Sequence, residues 1–151
     1  MLNVGQDVPT FEAQASTGGK VSRDSLLGTP YVLFFYPKSF TSGCTIETRR
    51  FAELAPDIQA KGAQIVGVSM DSLETQCKFA ESTGAEFPIL ADTDGSVSRA
   101  FDVKRMLLPV SRRVTYVIDE KGRVEAAFAM ELKFKEHVDK VLAHLDQRTP
   151  A

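Results

Sequence analysis

Cysteine is scarce in this chain: two residues in 151, Cys44 and Cys77, with no C-x-x-C between them. A zinc knuckle and a dithiol redox motif are thereby excluded. Histidine is equally scarce, and His137 and His144 stand seven residues apart on one face of an expected helix. A metal pair on a helix prefers i, i+4, so both are read as structural or solvated, and no metal or other cofactor is expected. A basic excess is also missing, with 18 Lys and Arg against 20 Asp and Glu for a net charge of -2, so nothing favours a nucleic-acid partner. No long apolar run exists either. The longest, Tyr31 to Tyr36, is closed by Pro37 and is far too short to span a membrane. The first residues, Met1 to Gly5, show neither a basic region nor an apolar stretch, so a cytoplasmic protein is expected. In a reducing cytosol two cysteines are free or catalytic rather than a permanent staple.

What remains is the composition of a globular protein. Hydrophobic residues make up 43% and charged residues 25%, which excludes disorder and fibrous repeats. The length fits one domain over 1–151, long enough to bury a core without staples. Pro9 to Ser16 alternates as a strand, Thr17 to Lys20 turns, and Val21 to Leu26 returns, giving an N-terminal β-hairpin. Tyr31 to Tyr36 is apolar on both faces, as a central strand must be. Ile46, Phe51, Leu54 and Ile58 then recur at helical spacing up to Lys61 and Gly62, with Pro56 inside the pattern as an expected kink. Ile65 to Ser69 is a second buried strand. Asp71 or Ser72 caps a helix whose face carries Leu73, Cys77 and Ala80, ended by Gly84. Phe87 to Leu90 is a short strand and Ser96 to Phe101 a short helix. Val114 to Ile118 and Val124 to Phe128 flank a four-residue turn as a hairpin. Phe134 to Leu145 is an amphipathic helix with Phe134, Val138, Val141 and Leu145 on one side. This order implies an α/β protein with a mixed central sheet and helices on both faces. The Gly18-Gly19-Lys20 turn fails the P-loop pattern, and Asp92 to Gly95 fails the calcium-loop pattern.

The chemistry concentrates in Tyr36-Pro37-Lys38-Ser39-Phe40-Thr41-Ser42-Gly43-Cys44-Thr45-Ile46-Glu47. Cys44 falls in the first turn of a helix that follows a buried strand, where open α/β sheets bind ligands. Free N–H groups and the positive helix end favour an anion there, and a thiolate is one. Pro37 offers a rigid shield without an N–H, and Thr41 stands one turn before Cys44, so its hydroxyl is expected to meet both sulfur and substrate. Gly43 lets a ligand approach the backbone closely. A core cysteine is the competing reading, and Thr41-Ser42-Gly43 is too polar for a core layer. No histidine lies nearby in sequence, which weakens a Cys–His hydrolase.

Pro37-x-x-x-Thr41-x-x-Cys44 matches the P-x-x-x-T-x-x-C signature of peroxiredoxins, and the wider run from Phe35 to Glu47 resembles the bacterioferritin comigratory protein, or Q-type, subfamily. The resemblance extends to Pro9-Thr10-Phe11, Gly67 to Ser72, Phe87 to Asp92 and Arg113 to Asp119, and so covers nearly the whole chain. It implies a thioredoxin-like fold and the reduction of hydrogen peroxide and organic hydroperoxides. By position it makes Cys44 the peroxidatic cysteine, Thr41 and the N–H groups around Gly43 and Cys44 the peroxide holders, and Pro37 the cover over the sulfur. Arg113, 69 residues from Cys44, becomes the active-site arginine that supports thiolate and peroxide. Residue spacing alone gives no such assignment, and on its own Arg112-Arg113 reads as a solvated pair at a strand start. Glu47 matches a family position that orients neighbours, against the alternative of an exposed first-turn carboxylate.

The resulting sulfenic acid must be resolved. Many Q-type proteins carry a second cysteine five residues on, where this chain has Arg49. Others carry it on the next crossover helix, which makes Cys77 the candidate resolving cysteine, about one turn before the matching position near Ala80. Set against that is core packing of Cys77 between Leu73 and Ala80. An external thiol would resolve the acid if Cys77 does not. The resemblance further implies recycling by thioredoxin or a similar thiol reductant, and a monomer is expected. A redox sensor or interaction module forming mixed disulfides through Cys44 is the alternative to an enzyme.

Overall fold

The computed structural model describes residues 1–129 and 134–148. A mixed sheet of seven strands organises it: β1 (Glu12–Ala15), β2 (Lys20–Ser22), β3 (Tyr31–Phe35), β4 (Gln64–Ser69), β5 (Ile89–Ala91), β6 (Val114–Ile118) and β7 (Val124–Ala129). Their spatial order is β2-β1-β5-β4-β3-β6-β7. The centre, β3-β4-β5, is parallel, and antiparallel pairs close both sides, with β1-β2 as the N-terminal hairpin. The chain thus has the thioredoxin-like architecture implied by its motifs.

β3 shows why the sheet is double-sided. Every one of its residues is buried, and successive side chains point to opposite faces. Leu33 and Phe35 join one core with Phe101, Val114 and Tyr116. Val32, Phe34 and Tyr36 join the other with Cys44, Phe51, Phe79 and Val138. The second core is roofed by α2 (Ser42–Ala60), α3 (Leu73–Thr83) and α5 (Phe134–Gln147). The first is covered by α1 (Arg23–Leu26), α4 (Ser96–Ala100) and the N-terminal segment.

One element departs from the sequence reading. Val21 to Leu26 is a strand end followed by the short helix α1, fixed by a capping box in which Ser22 and Ser25 satisfy each other's backbone N–H groups. Pro56 lies inside α2, which runs from Ser42 to Ala60 as one helix. No helix among the described residues is long and apolar enough to cross a membrane.

Candidate active site

The antiparallel register of β3 and β6 builds the site. Phe35, the last residue of β3, pairs with Val114, the first of β6. Arg113, just before β6, therefore lies beside the segment that leaves β3 and leads to Cys44. Cys44 is the third residue of α2, and its side chain is fully buried. Arg113 Nη2 donates to Cys44 Sγ at 3.4 Å, bridging the 69-residue gap. The sequence left Arg113 open to solvation, but it is only 5% exposed. Burial alone would favour the uncharged guanidine. Glu47 and Cys44 beside it reverse that and hold the Arg113 pKa above its ordinary value.

Glu47 is the second anchor. It follows Cys44 by three residues on α2 and so shares its face. Its carboxylate is completely buried, not an exposed first-turn charge, and Oε1 accepts from Arg113 Nη1 at 2.7 Å. One guanidinium is thus held by a carboxylate through one nitrogen and presents another to the sulfur. Such a buried pair gains its value in geometry rather than in net stability, because both ions have left water.

Phe134, the first residue of α5, completes this side. Its ring lies 4.5 Å from Arg113 Cζ in a cation–π contact. The same ring packs on Gly43, where an added Cβ would come within 2.5 Å of it. Gly43 thus permits the close approach of an aromatic side chain. His137, one turn further along α5, is also buried, with Nε2 2.5 Å from Thr115 Oγ1 and 3.6 Å from Glu47 Oε2. Burial first, then Arg113 and Lys140, push its pKa down to about 4, so the ring is neutral at pH 7. Of the two readings left open for His137, structural or solvated, the structural one holds. His144 instead sits half-buried against Glu125 Oε2 at 2.8 Å.

Thr41 stands at the N-cap of α2 but makes no capping hydrogen bond. Its hydroxyl donates to the Lys38 carbonyl at 2.7 Å. With that proton engaged, its oxygen is left as an acceptor. Phe40, immediately before, is held at φ 67°, a left-handed conformation uncommon for a bulky residue. Pro37 is half-buried between β3 and this loop. The loop is tied down from below by a buried polar network. Tyr36 Oη and Ser39 Oγ donate to Gln76 Oε1 at 3.0 and 2.8 Å, and Gln76 Nε2 donates to Ser69 Oγ and the Leu90 carbonyl. Asp71 accepts from the Ser39 N–H at 2.8 Å.

That network also explains where Cys77 goes. Gln76, Phe79 and Thr83 form the buried face of α3, so the packed stripe expected through Leu73, Cys77 and Ala80 is rotated by one residue. Cys77 is exposed, with Sγ 3.9 Å from the Ser16 carbonyl, which removes the core-packing alternative. Both cysteines are free thiols.

Residues 4–127 match the model of the AhpC/TSA family. The structure is similar to that of peroxidoxin BcpB from Mycobacterium tuberculosis, with a TM-score of 0.92, 37% identity and coverage of 99% of this chain and 100% of that one. It also resembles the Xanthomonas campestris bacterioferritin comigratory protein, studied for alkyl peroxide reduction, with a TM-score of 0.86, 32% identity and coverage of 96% and 98%. Peroxiredoxin Bcp of Xanthomonas campestris is 37% identical over 145 residues, covering 90% of this chain and 89% of that protein. By motif, fold and relatives together, the chain belongs to the AhpC/TSA family, among its bacterioferritin comigratory protein (peroxiredoxin Q) members.

Proposed function

We propose that this protein is a thiol-dependent peroxidase that reduces hydrogen peroxide and organic hydroperoxides at Cys44. The observation that carries this reading is the hydrogen bond from Arg113 to Cys44 Sγ within the first turn of α2. The thiolate is the nucleophile. It attacks one peroxide oxygen in line, an S–O bond forms, and the O–O bond breaks. Sulfur is oxidised by two electrons, and hydroxide or an alkoxide leaves and takes up a proton. The charge moving onto the leaving oxygen needs donors. The N–H groups of Ser42, Gly43 and Cys44 open the helix beyond its internal hydrogen bonds. Arg113 Nε is a buried donor without an acceptor among the described residues, which suits it to the same oxygen. Thr41 supplies an acceptor for the peroxide hydroxyl, and Pro37 shields the sulfur.

Cys77 resolves the sulfenic acid in this reading, because it is an exposed thiol on the crossover helix. A disulfide requires Cα atoms about 4.4–6.8 Å apart, so the first turn of α2 must open to reach it. Two features make that opening inexpensive: the uncapped N-terminus at Thr41 and the left-handed Phe40. Thioredoxin or a similar thiol reductant then restores both thiols. The protein acts as a cytoplasmic monomer, a reading supported by two free cysteines that suit a reducing compartment and lie on neighbouring helices of one chain. Cys44 is completely buried, so a peroxide and a protein thiolate alike reach its sulfur only when the first turn of α2 opens.

Peroxide-dependent NADPH oxidation coupled through thioredoxin and its reductase tests this function. Wild type should turn over and Cys44→Ser should not. Mixed-disulfide formation with negligible peroxide consumption would favour the sensor.

A further inference from the structure

His137 has no part in the chemistry described so far, yet it is built into the same cluster. Three pairs of same-face residues converge there. Cys44 and Glu47 share a face of α2, Phe134 and His137 share a face of α5, and Arg113 and Thr115 alternate onto one face of β6 and the residue before it. The contacts run in one chain. Thr115 Oγ1 is 2.5 Å from His137 Nε2, and that nitrogen is 3.6 Å from Glu47 Oε2. Glu47 Oε1 accepts from Arg113 Nη1 at 2.7 Å, and Arg113 Nη2 donates to Cys44 Sγ at 3.4 Å. All five side chains are buried.

We propose that His137 is a positioning residue for peroxide reduction: anchored by Thr115, its imidazole fixes the Glu47 carboxylate and through it the aim of Arg113 at Cys44. The ring's other nitrogen, Nδ1, has no hydrogen-bond partner among the described residues. A proton on Nε2 therefore leaves a lone pair rather than an N–H without a partner, and it turns the N–H edge toward both Thr115 and Glu47. The charged groups around the ring are Glu47 from α2, Arg113 from the start of β6 and Lys140 from α5 itself. A neutral ring in this place adds polarity without a second cation beside Arg113. Removing this edge loosens one oxygen of the carboxylate, and a guanidinium whose partner shifts loses its fixed line to the sulfur. An error of about 1 Å in such a line costs on the order of 10²-fold in rate.

This inference rests on the peroxidase reading, and its test keeps the two apart. His137→Ala, His137→Gln and Thr115→Val are compared with wild type by single-turnover peroxide kinetics. The pH dependence of Cys44 alkylation, read by mass spectrometry of the Cys44 peptide, is measured alongside. His137→Ala should lower the second-order peroxide rate constant at least tenfold and move the alkylation midpoint upward by at least half a pH unit. His137→Gln, whose amide N–H reaches the place of Nε2, should restore both to within about threefold and a few tenths of a pH unit. Thr115→Val keeps the volume and the imidazole, so it folds even if His137→Ala does not, and it should shift both readouts in the same direction by less. A lower melting temperature with unchanged rate constant and alkylation midpoint, in His137→Ala or in Thr115→Val, would overturn the proposal and make His137 a packing residue. If wild type consumes no peroxide, the functional reading fails, and the alkylation midpoints still judge His137.

Discussion

The two cysteines sit on neighbouring helices of the same sheet face, yet their surroundings have almost nothing in common. Cys44 is sealed from solvent, and its sulfur meets a guanidinium that is itself held by a buried carboxylate and covered by an aromatic ring. Cys77 is exposed, with one weak contact to a backbone carbonyl. In the proposed reading, the difference teaches that the peroxidatic cysteine is made by partners delivered from distant segments. β6 brings Arg113, α5 brings Phe134 and His137, and α2 contributes only Glu47 besides the sulfur. Cys77 has no such partners, and what it offers is access.

The sharpest way to break this comparison is to exchange the roles. Cys44→Ser should abolish peroxide consumption altogether, with Cys77 unable to substitute; residual turnover above a percent of wild type would undo the assignment. Next in size comes Arg113→Met, which removes the donor on the sulfur and should cost about 10²- to 10³-fold in the second-order rate constant, measured by stopped flow. Retention of wild-type rates would remove Arg113 from the chemistry. Glu47→Gln should act on stability as well as rate. It leaves the Arg113 charge buried without its counter-ion, and breaking such pairs costs on the order of 3–5 kcal/mol. Chemical denaturation would reveal this as a lower midpoint, and an unchanged midpoint would mean that the pair is not formed in solution.

A smaller effect is expected from pH. His137 is neutral in the folded protein, with a pKa lowered from 6.5 to about 4. Between those values the unfolded chain holds the extra proton, so stability is full above pH 6.5 and falls on acidification toward pH 4. A shift of this size corresponds to at most about 3 kcal/mol. His137→Gln should flatten that part of the stability–pH curve relative to wild type, and parallel curves would show that the ring is not buried as a neutral group. The smallest effect belongs to Cys77→Ser. Folding stability should stay within about 0.5 kcal/mol, as for an exposed side chain with few partners. The oxidised protein should lose its intramolecular disulfide, and a disulfide-free wild type after one equivalent of peroxide would assign resolution to an external thiol.

Much of this was legible in the residues themselves. The apolar run Tyr31 to Tyr36 announced a central strand, and the polar Thr41-Ser42-Gly43 before a helical pattern put Cys44 at a helix start. The turn Asp119 to Gly122 marked the β6–β7 hairpin. What periodicity could not show was which strand β6 would pair with. That antiparallel register, Phe35 opposite Val114, brings Arg113 to the sulfur, and only the family motif pointed to it. The face of α3 was misread for a physical reason. Gln76 looks like a surface residue, yet it is buried because its amide satisfies Tyr36, Ser39, Ser69 and the Leu90 carbonyl at once. His137 was left between a structural and a solvated reading, and its burial settles on the structural one. The signal that could have found it is its spacing of three from Phe134 on the packed side of α5. The one-turn spacing of Thr41 and Cys44 also suggested a hydroxyl that meets the sulfur and substrate, whereas its proton is bound to the Lys38 carbonyl.

The most direct measurement is to add one equivalent of hydrogen peroxide to the fully reduced protein and map the oxidised sulfur by mass spectrometry. Oxidation should begin at Cys44, as a sulfenic acid or as its disulfide with Cys77, while the exposed Cys77 alone stays untouched in the Cys44→Ser variant. A Cys44 that remains a thiol while Cys77 is oxidised would contradict the account.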